Sequence, residues 1–121
     1  MDVGRTVFQH EEPKKRLDAG TLGTMGLGVP FCIAARLAHP KKPVVGIMGD
    51  SAFGFSCMEI ETAIRHKLHF VCIVINNGGI VQGTEEYPDD PELGKVAPNQ
   101  YRPNTRYEKL ADTFGGKGYF V

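Results

Sequence analysis

Two short apolar runs, each broken off by a polar, glycine-containing turn, limit most strongly what this chain can fold into. Val44 to Met48 is followed by Gly49-Asp50-Ser51, and Phe70 to Ile75 is followed by Asn76-Asn77-Gly78-Gly79. Both runs have strand length, and FVCIVI is continuous and β-branched, as a strand buried on both faces requires. Between them, Ser56 to His66 places Met58, Ile60, Ala63 and Ile64 among Glu59, Glu61 and Arg65, a helical spacing. Upstream, Val29 to Ala38 is apolar with small alanines at 34 and 35, which suits a buried helix lying close on a sheet.

Downstream, Thr105 and Glu108 have capping-box spacing and should open a helix to about Phe114. Gly115-Gly116 stops that helix before a last strand, Gly118-Tyr119-Phe120-Val121, which reads as broken off partway. Residues 1–16 form a short lead-in element. Residues 81–103, with Pro88, Pro91, Pro98 and Pro103 and many acidic residues, read as a long surface loop. The order helix, strand, helix, strand, loop, helix, strand implies parallel βαβ crossovers: an α/β fold, a parallel sheet flanked by helices. Ligands of such sheets sit beyond the carboxyl ends of the strands, where both polar turns fall.

A diphosphate at that edge needs backbone N–H groups, a helix N-terminus or a cation to meet its charge. Ser51 and Ala52 can offer N–H donors, and Ser51 a hydroxyl. The Asp50 carboxylate repels phosphate directly but suits a bridging magnesium ion, a hard cation that takes oxygen ligands and often shares them with phosphates. An Asn77 side-chain oxygen and the Gly79 carbonyl can complete the protein's share. Asp50 and Asn77 lie 27 positions apart (77 − 50), room for a helix, the next strand and its end. Taken alone, each turn reads better as a helix N-cap or a positive-φ turn. Their joint placement favours the metal–diphosphate reading.

The signature Gly49-Asp50-Ser51 followed by Asn76-Asn77 resembles that of thiamine diphosphate-dependent enzymes. RLDAGTLGTMGLG (16–28), GDSAFGFSCMEIETAIRHKL (49–68) and FGGKGYFV (114–121) resemble the 2-hydroxyacyl-CoA lyases, with the oxalyl-CoA decarboxylases as close kin. The resemblance implies a diphosphate-binding domain of thiamine diphosphate-binding fold over residues 1–121, incomplete at both ends. It implies thiamine diphosphate and Mg2+ as cofactors, with Asp50, Asn77 and the main-chain carbonyl of Gly79 as metal ligands. Gly49, Ser51, Ala52 and the Ile80 backbone would hold the diphosphate. Gly23 and Met25 would meet the aminopyrimidine, Met25 propping the cofactor into its bent shape; the residues alone also allow Met25 as core filler. Two positions depart from the pattern or discriminate within it. Val81 stands where relatives commonly carry tyrosine, and Gln82 matches the lyases better than the decarboxylases.

The implied activity is cleavage of a 2-hydroxyacyl-CoA to formyl-CoA and a shortened aldehyde, or, in the kin, decarboxylation of oxalyl-CoA. A non-catalytic cofactor-binding remnant is a further reading. The glutamate that starts catalysis in the family comes from a pyrimidine-binding domain of the same or a partner subunit, and nothing in the chain matches it. No catalytic residue is therefore expected here. The CoA-thioester substrate would be bound by the missing domains, and the full-length protein would be a homo-oligomer. The chain by itself is expected to bind cofactor weakly or not at all and to show no turnover. The resemblance implies a peroxisomal location for a eukaryotic lyase and a cytoplasmic one otherwise.

Fourteen basic against fourteen acidic residues give a formal net charge of zero, which argues against nucleic-acid or anionic-membrane partners. No apolar stretch nears the roughly 20 residues of a membrane span. The three cysteines, Cys32, Cys57 and Cys72, lack metal-ligand spacing and read as free thiols in a reducing compartment. His10, His39, His66 and His69 are scattered and none is assigned as a base. Glu59 and Glu61 lie too far along their helix to serve as catalytic acids.

Overall fold

Two of the three predicted strands form, at the first two apolar runs. The computed structural model describes residues 2–81 and 96–121, so Gln82 and most of the predicted long loop lie outside the described residues. Strand β1 (Val45–Gly49) pairs with β2 (Val71–Ile75) in parallel, Val45 opposite Val71 through Gly49 opposite Ile75. That register brings the two strands to an end side by side, with Asp50 and Asn76 leaving the same edge.

Helix α1 (Asp2–Val7) leads in, and a short 3-10 turn (Gly20–Leu22) precedes helix α2 (Gly28–Ala38). Pro30 lies in the first turn of α2, where its missing N–H costs nothing, and the helix ends before Pro40. α2 lies on β1, and two glycines let it approach: a Cβ on Gly46 would stand 2.5 Å from Cys32 Sγ. A Cβ on Gly28 would meet Met48. The chain leaves β1 directly into a five-residue helix α3 (Asp50–Gly54), then a turn, then α4 (Glu59–Arg65). The single predicted helix from Ser56 thus starts later, at Glu59.

Two further expectations are corrected. Helix α5 (Glu108–Thr113) is not opened by a capping box: its N-cap is Tyr107, and the Thr105 hydroxyl donates instead to the Arg102 carbonyl at 2.8 Å. The last five residues are not a strand. They fold back on α5, where the Gly118 N–H donates to Asp112 Oδ1 at 2.9 Å and Arg106 stacks 4.3 Å over the Phe120 ring.

The core gathers on one face of the sheet. Val29, Met48, Phe53 and Ile60 are buried there, with Tyr107, Leu110 and Phe114 packed against them. The opposite face contradicts the expectation of strands buried on both sides. Val45, Ile47, Val71, Ile73 and Ile75, in register across both strands, are between 42% and 57% exposed. No described helix is long and apolar enough to cross a membrane.

Candidate metal and diphosphate site

Asp50 opens α3 immediately after β1, where an acidic side chain complements the helix N-terminus. It is 1% exposed. Its Oδ1 accepts the Ser51 N–H at 2.8 Å and its Oδ2 accepts the Gly79 N–H at 3.0 Å, from the turn after β2. Each such bond to a charged group contributes roughly 1.5–3 kcal/mol. Among the described residues no cationic side chain lies within ion-pair distance of this carboxylate. Nor do three His, Cys, Asp or Glu side chains converge on one point among them.

The turn after β2 supplies neutral oxygen donors. Asn77 Nδ2 donates to the Val81 carbonyl at 3.2 Å, and its Oδ1 has no hydrogen bond among the described residues. Asn76 Oδ1 accepts the Gly78 N–H at 3.3 Å, and its Nδ2 donates to the Thr105 carbonyl at 3.2 Å. Gly79 has φ 145, a conformation open only to glycine, and a Cβ there would run into the Asn99 carbonyl. Val81, at φ 66, is 85% exposed.

The Ser51 hydroxyl is buried with no hydrogen-bond partner, in a residue 5% exposed. A buried hydroxyl left unpaired costs about 1–3 kcal/mol, so it marks a place where a ligand oxygen fits. A buried acid with no ion-pair partner among the described residues, a neutral amide oxygen and a buried hydroxyl at one strand edge have the oxygen chemistry that a magnesium diphosphate would take. The predicted Ile80 contact is different: its N–H already donates to the Asn99 carbonyl at 2.9 Å and is not open to a phosphate.

Gly23 ends the 3-10 turn in the left-handed region at φ 62, and Met25 is half-buried two residues on. Gly26 rests against Phe55, just past the far end of α3. The Gly23–Gly26 turn therefore adjoins one end of α3 and Asp50 the other, roughly 7 Å apart at 1.5 Å per residue. Tyr107 packs edge-on to Phe53, centroids 5.8 Å apart at 84°. Burial raises its phenol, and the Asp50 charge raises it further. Neither this tyrosine nor residues 97–101, which cross the Gly78–Ile80 turn, was marked by any local sequence signal.

Residues 2–121 match the family described as thiamine pyrophosphate enzyme, C-terminal TPP binding domain. The chain belongs to that family, whose cofactor is thiamine diphosphate. It is 52% identical to the 2-hydroxyacyl-CoA lyase of Arabidopsis thaliana and 46% identical to 2-hydroxyacyl-CoA lyase 1 of Homo sapiens. It is 43% identical to the oxalyl-CoA decarboxylase of Escherichia coli (strain K12). All of this chain is covered in each case, but only 22%, 23% and 21% of those proteins, so it spans about a fifth of the curated relatives' length. A solved structure, the Rhodococcus jostii RHA1 thiamine diphosphate-dependent 4-hydroxybenzoylformate decarboxylase, matches 78% of the chain and 18% of its own. Its TM-score is 0.58 and its identity 24%, a likeness of fold.

Proposed function

We propose that this chain is the diphosphate-holding part of a thiamine diphosphate-dependent carbon–carbon lyase acting on 2-hydroxyacyl-CoA. The observation that carries the reading is the buried Asp50 carboxylate, met among the described residues by main-chain N–H groups alone and followed by a Ser51 hydroxyl with no partner among them. Asp50, Asn77 Oδ1 and the Gly79 carbonyl would hold Mg2+. Ser51 and the start of α3 would donate to the diphosphate, with Gly49 and Ala52 shaping the cradle. Gly23 and Met25 would face the pyrimidine end.

Bound there, thiamine diphosphate supplies the electron sink that lets a carbon–carbon bond beside a carbonyl break. The residues of this chain would bind and orient it, with Met25 beside its pyrimidine end, and the acid–base group for the pyrimidine would come from a glutamate outside this chain. The proposed products are formyl-CoA and an aldehyde one carbon shorter, in a peroxisome where the host is eukaryotic and in the cytoplasm otherwise. The 43% identity to an oxalyl-CoA decarboxylase supports decarboxylation as the second reading. The presence of Asp50, Ser51 and Asn77 at one strand edge weighs against a remnant that has lost its cofactor.

Calorimetric titration with thiamine diphosphate, with and without Mg2+, tests the assignment on wild type and Asp50→Ala. Weak, Mg2+-dependent binding that vanishes in Asp50→Ala is expected, with no turnover of 2-hydroxyacyl-CoA by the chain alone. Binding that ignores Mg2+, or survives the substitution, contradicts the metal assignment.

A further inference from the structure

Gly79 is held from two sides. Its N–H reaches Asp50, and residues 97–101 run back across its other side. The Ile80 N–H donates to the Asn99 carbonyl at 2.9 Å, and the Tyr101 N–H donates to the Gly78 carbonyl at 2.8 Å. Between these bonds Gly79 and Gln100 form an antiparallel bridge. The crossing segment is itself a closed turn: the Gln100 N–H donates to the Ala97 carbonyl at 2.9 Å, and the Ala97 N–H donates to Gln100 Oε1 at 3.2 Å. One side-chain oxygen therefore sets the shape of the strap that presses on the turn carrying Asn77 and Gly79.

We propose that Gln100 is a positioning residue for the cation site. Its Oε1 braces the 97–100 turn, the turn fixes Gly78 to Ile80, and the Gly79 carbonyl is thereby aimed beside Asp50. The inference rests on the metal reading given above. Groups that orient metal ligands are commonly worth about tenfold or more in metal affinity when removed. Among the described residues the Gln100 side chain bonds to the Ala97 N–H, so its effect passes through the strap.

Amide NMR with Mn2+ as a paramagnetic stand-in for Mg2+ tests this on the 121-residue chain. Wild type should show saturable broadening at the Asp50 and Gly79 amides. Gln100→Ala should raise the half-saturating Mn2+ about tenfold. It should also speed hydrogen exchange at the Gly79 and Ile80 amides while β1 and β2 stay protected. Gln100→Glu keeps an acceptor for the Ala97 N–H and should restore both readouts. Unchanged Mn2+ affinity or unchanged exchange in Gln100→Ala overturns the proposal, as does loss of protection throughout the sheet. Wild-type Mn2+ binding that is absent, or untouched by Asp50→Ala, overturns the metal reading instead; the exchange rates then judge the brace by themselves.

Discussion

Cys32 and Cys72 show how far burial alone can quiet a reactive group. Cys32 Sγ occupies the notch that Gly46 leaves, and Gly46 sits in register beside Cys72. Burial raises the Cys32 thiol, and burial together with the nearby Cys32 pushes Cys72 up to about 12. Cys57, in the turn after α3, instead points its thiol at the carbonyl of Gly54, the last residue of that helix, 3.7 Å away. The thiolate is the nucleophile, so an alkylating reagent at pH 8 should modify Cys57 first and spare the other two until the chain unfolds. Mass spectrometry of timed samples checks this, and Cys72 labelling as fast as Cys57 would refute it. A pH consequence follows with a definite sign. An unfolded thiol titrates near 9.0, whereas the folded chain keeps Cys72 protonated to about 12. The unfolded state loses its proton first, so stability is intact below pH 9 and falls between about 9 and 12.

At the scale of elements, the contact of α2 with β1 depends on Gly46. An alanine there gains roughly 0.4–1 kcal/mol from a stiffer unfolded chain, but overpacking against Cys32 costs about 1–3 kcal/mol. Gly46→Ala should therefore destabilise by about 1–2 kcal/mol in urea denaturation. The double substitution Gly46→Ala with Cys32→Ala should recover most of that, because the new methyl fills the sulfur's place; no recovery would mean the glycine matters for another reason. Both strands, α2 and the two polar turns at one edge were legible in the sequence, since each is written in a local run of residues. The strap over Gly79 was not: it is made by main-chain bonds between segments some twenty residues apart, which leave no pattern of side chains. Thr105 and Glu108 had the letters of a capping box, yet the hydroxyl found the Arg102 carbonyl. Gly118 to Val121 had strand composition, but Asp112 and Arg106 hold this segment against α5.

For the whole molecule, the feature with the widest reach is the open face of the sheet. FVCIVI looked continuous enough for a strand covered twice, yet Val71, Ile73 and Ile75 stay in water with Val45 and Ile47. Apolar groups already wet in the folded chain are not newly wetted when it unfolds. The heat capacity of unfolding, which measures newly hydrated apolar surface, should then fall below the usual value of about 12–15 cal/mol/K per residue. Differential scanning calorimetry at several pH values reads this directly, and a value within the usual range would show that the face is covered in solution. A low heat-capacity change also flattens the curve of stability against temperature. The bare strands thus bear on calorimetry as much as on packing: this chain should lose little of its stability on cooling.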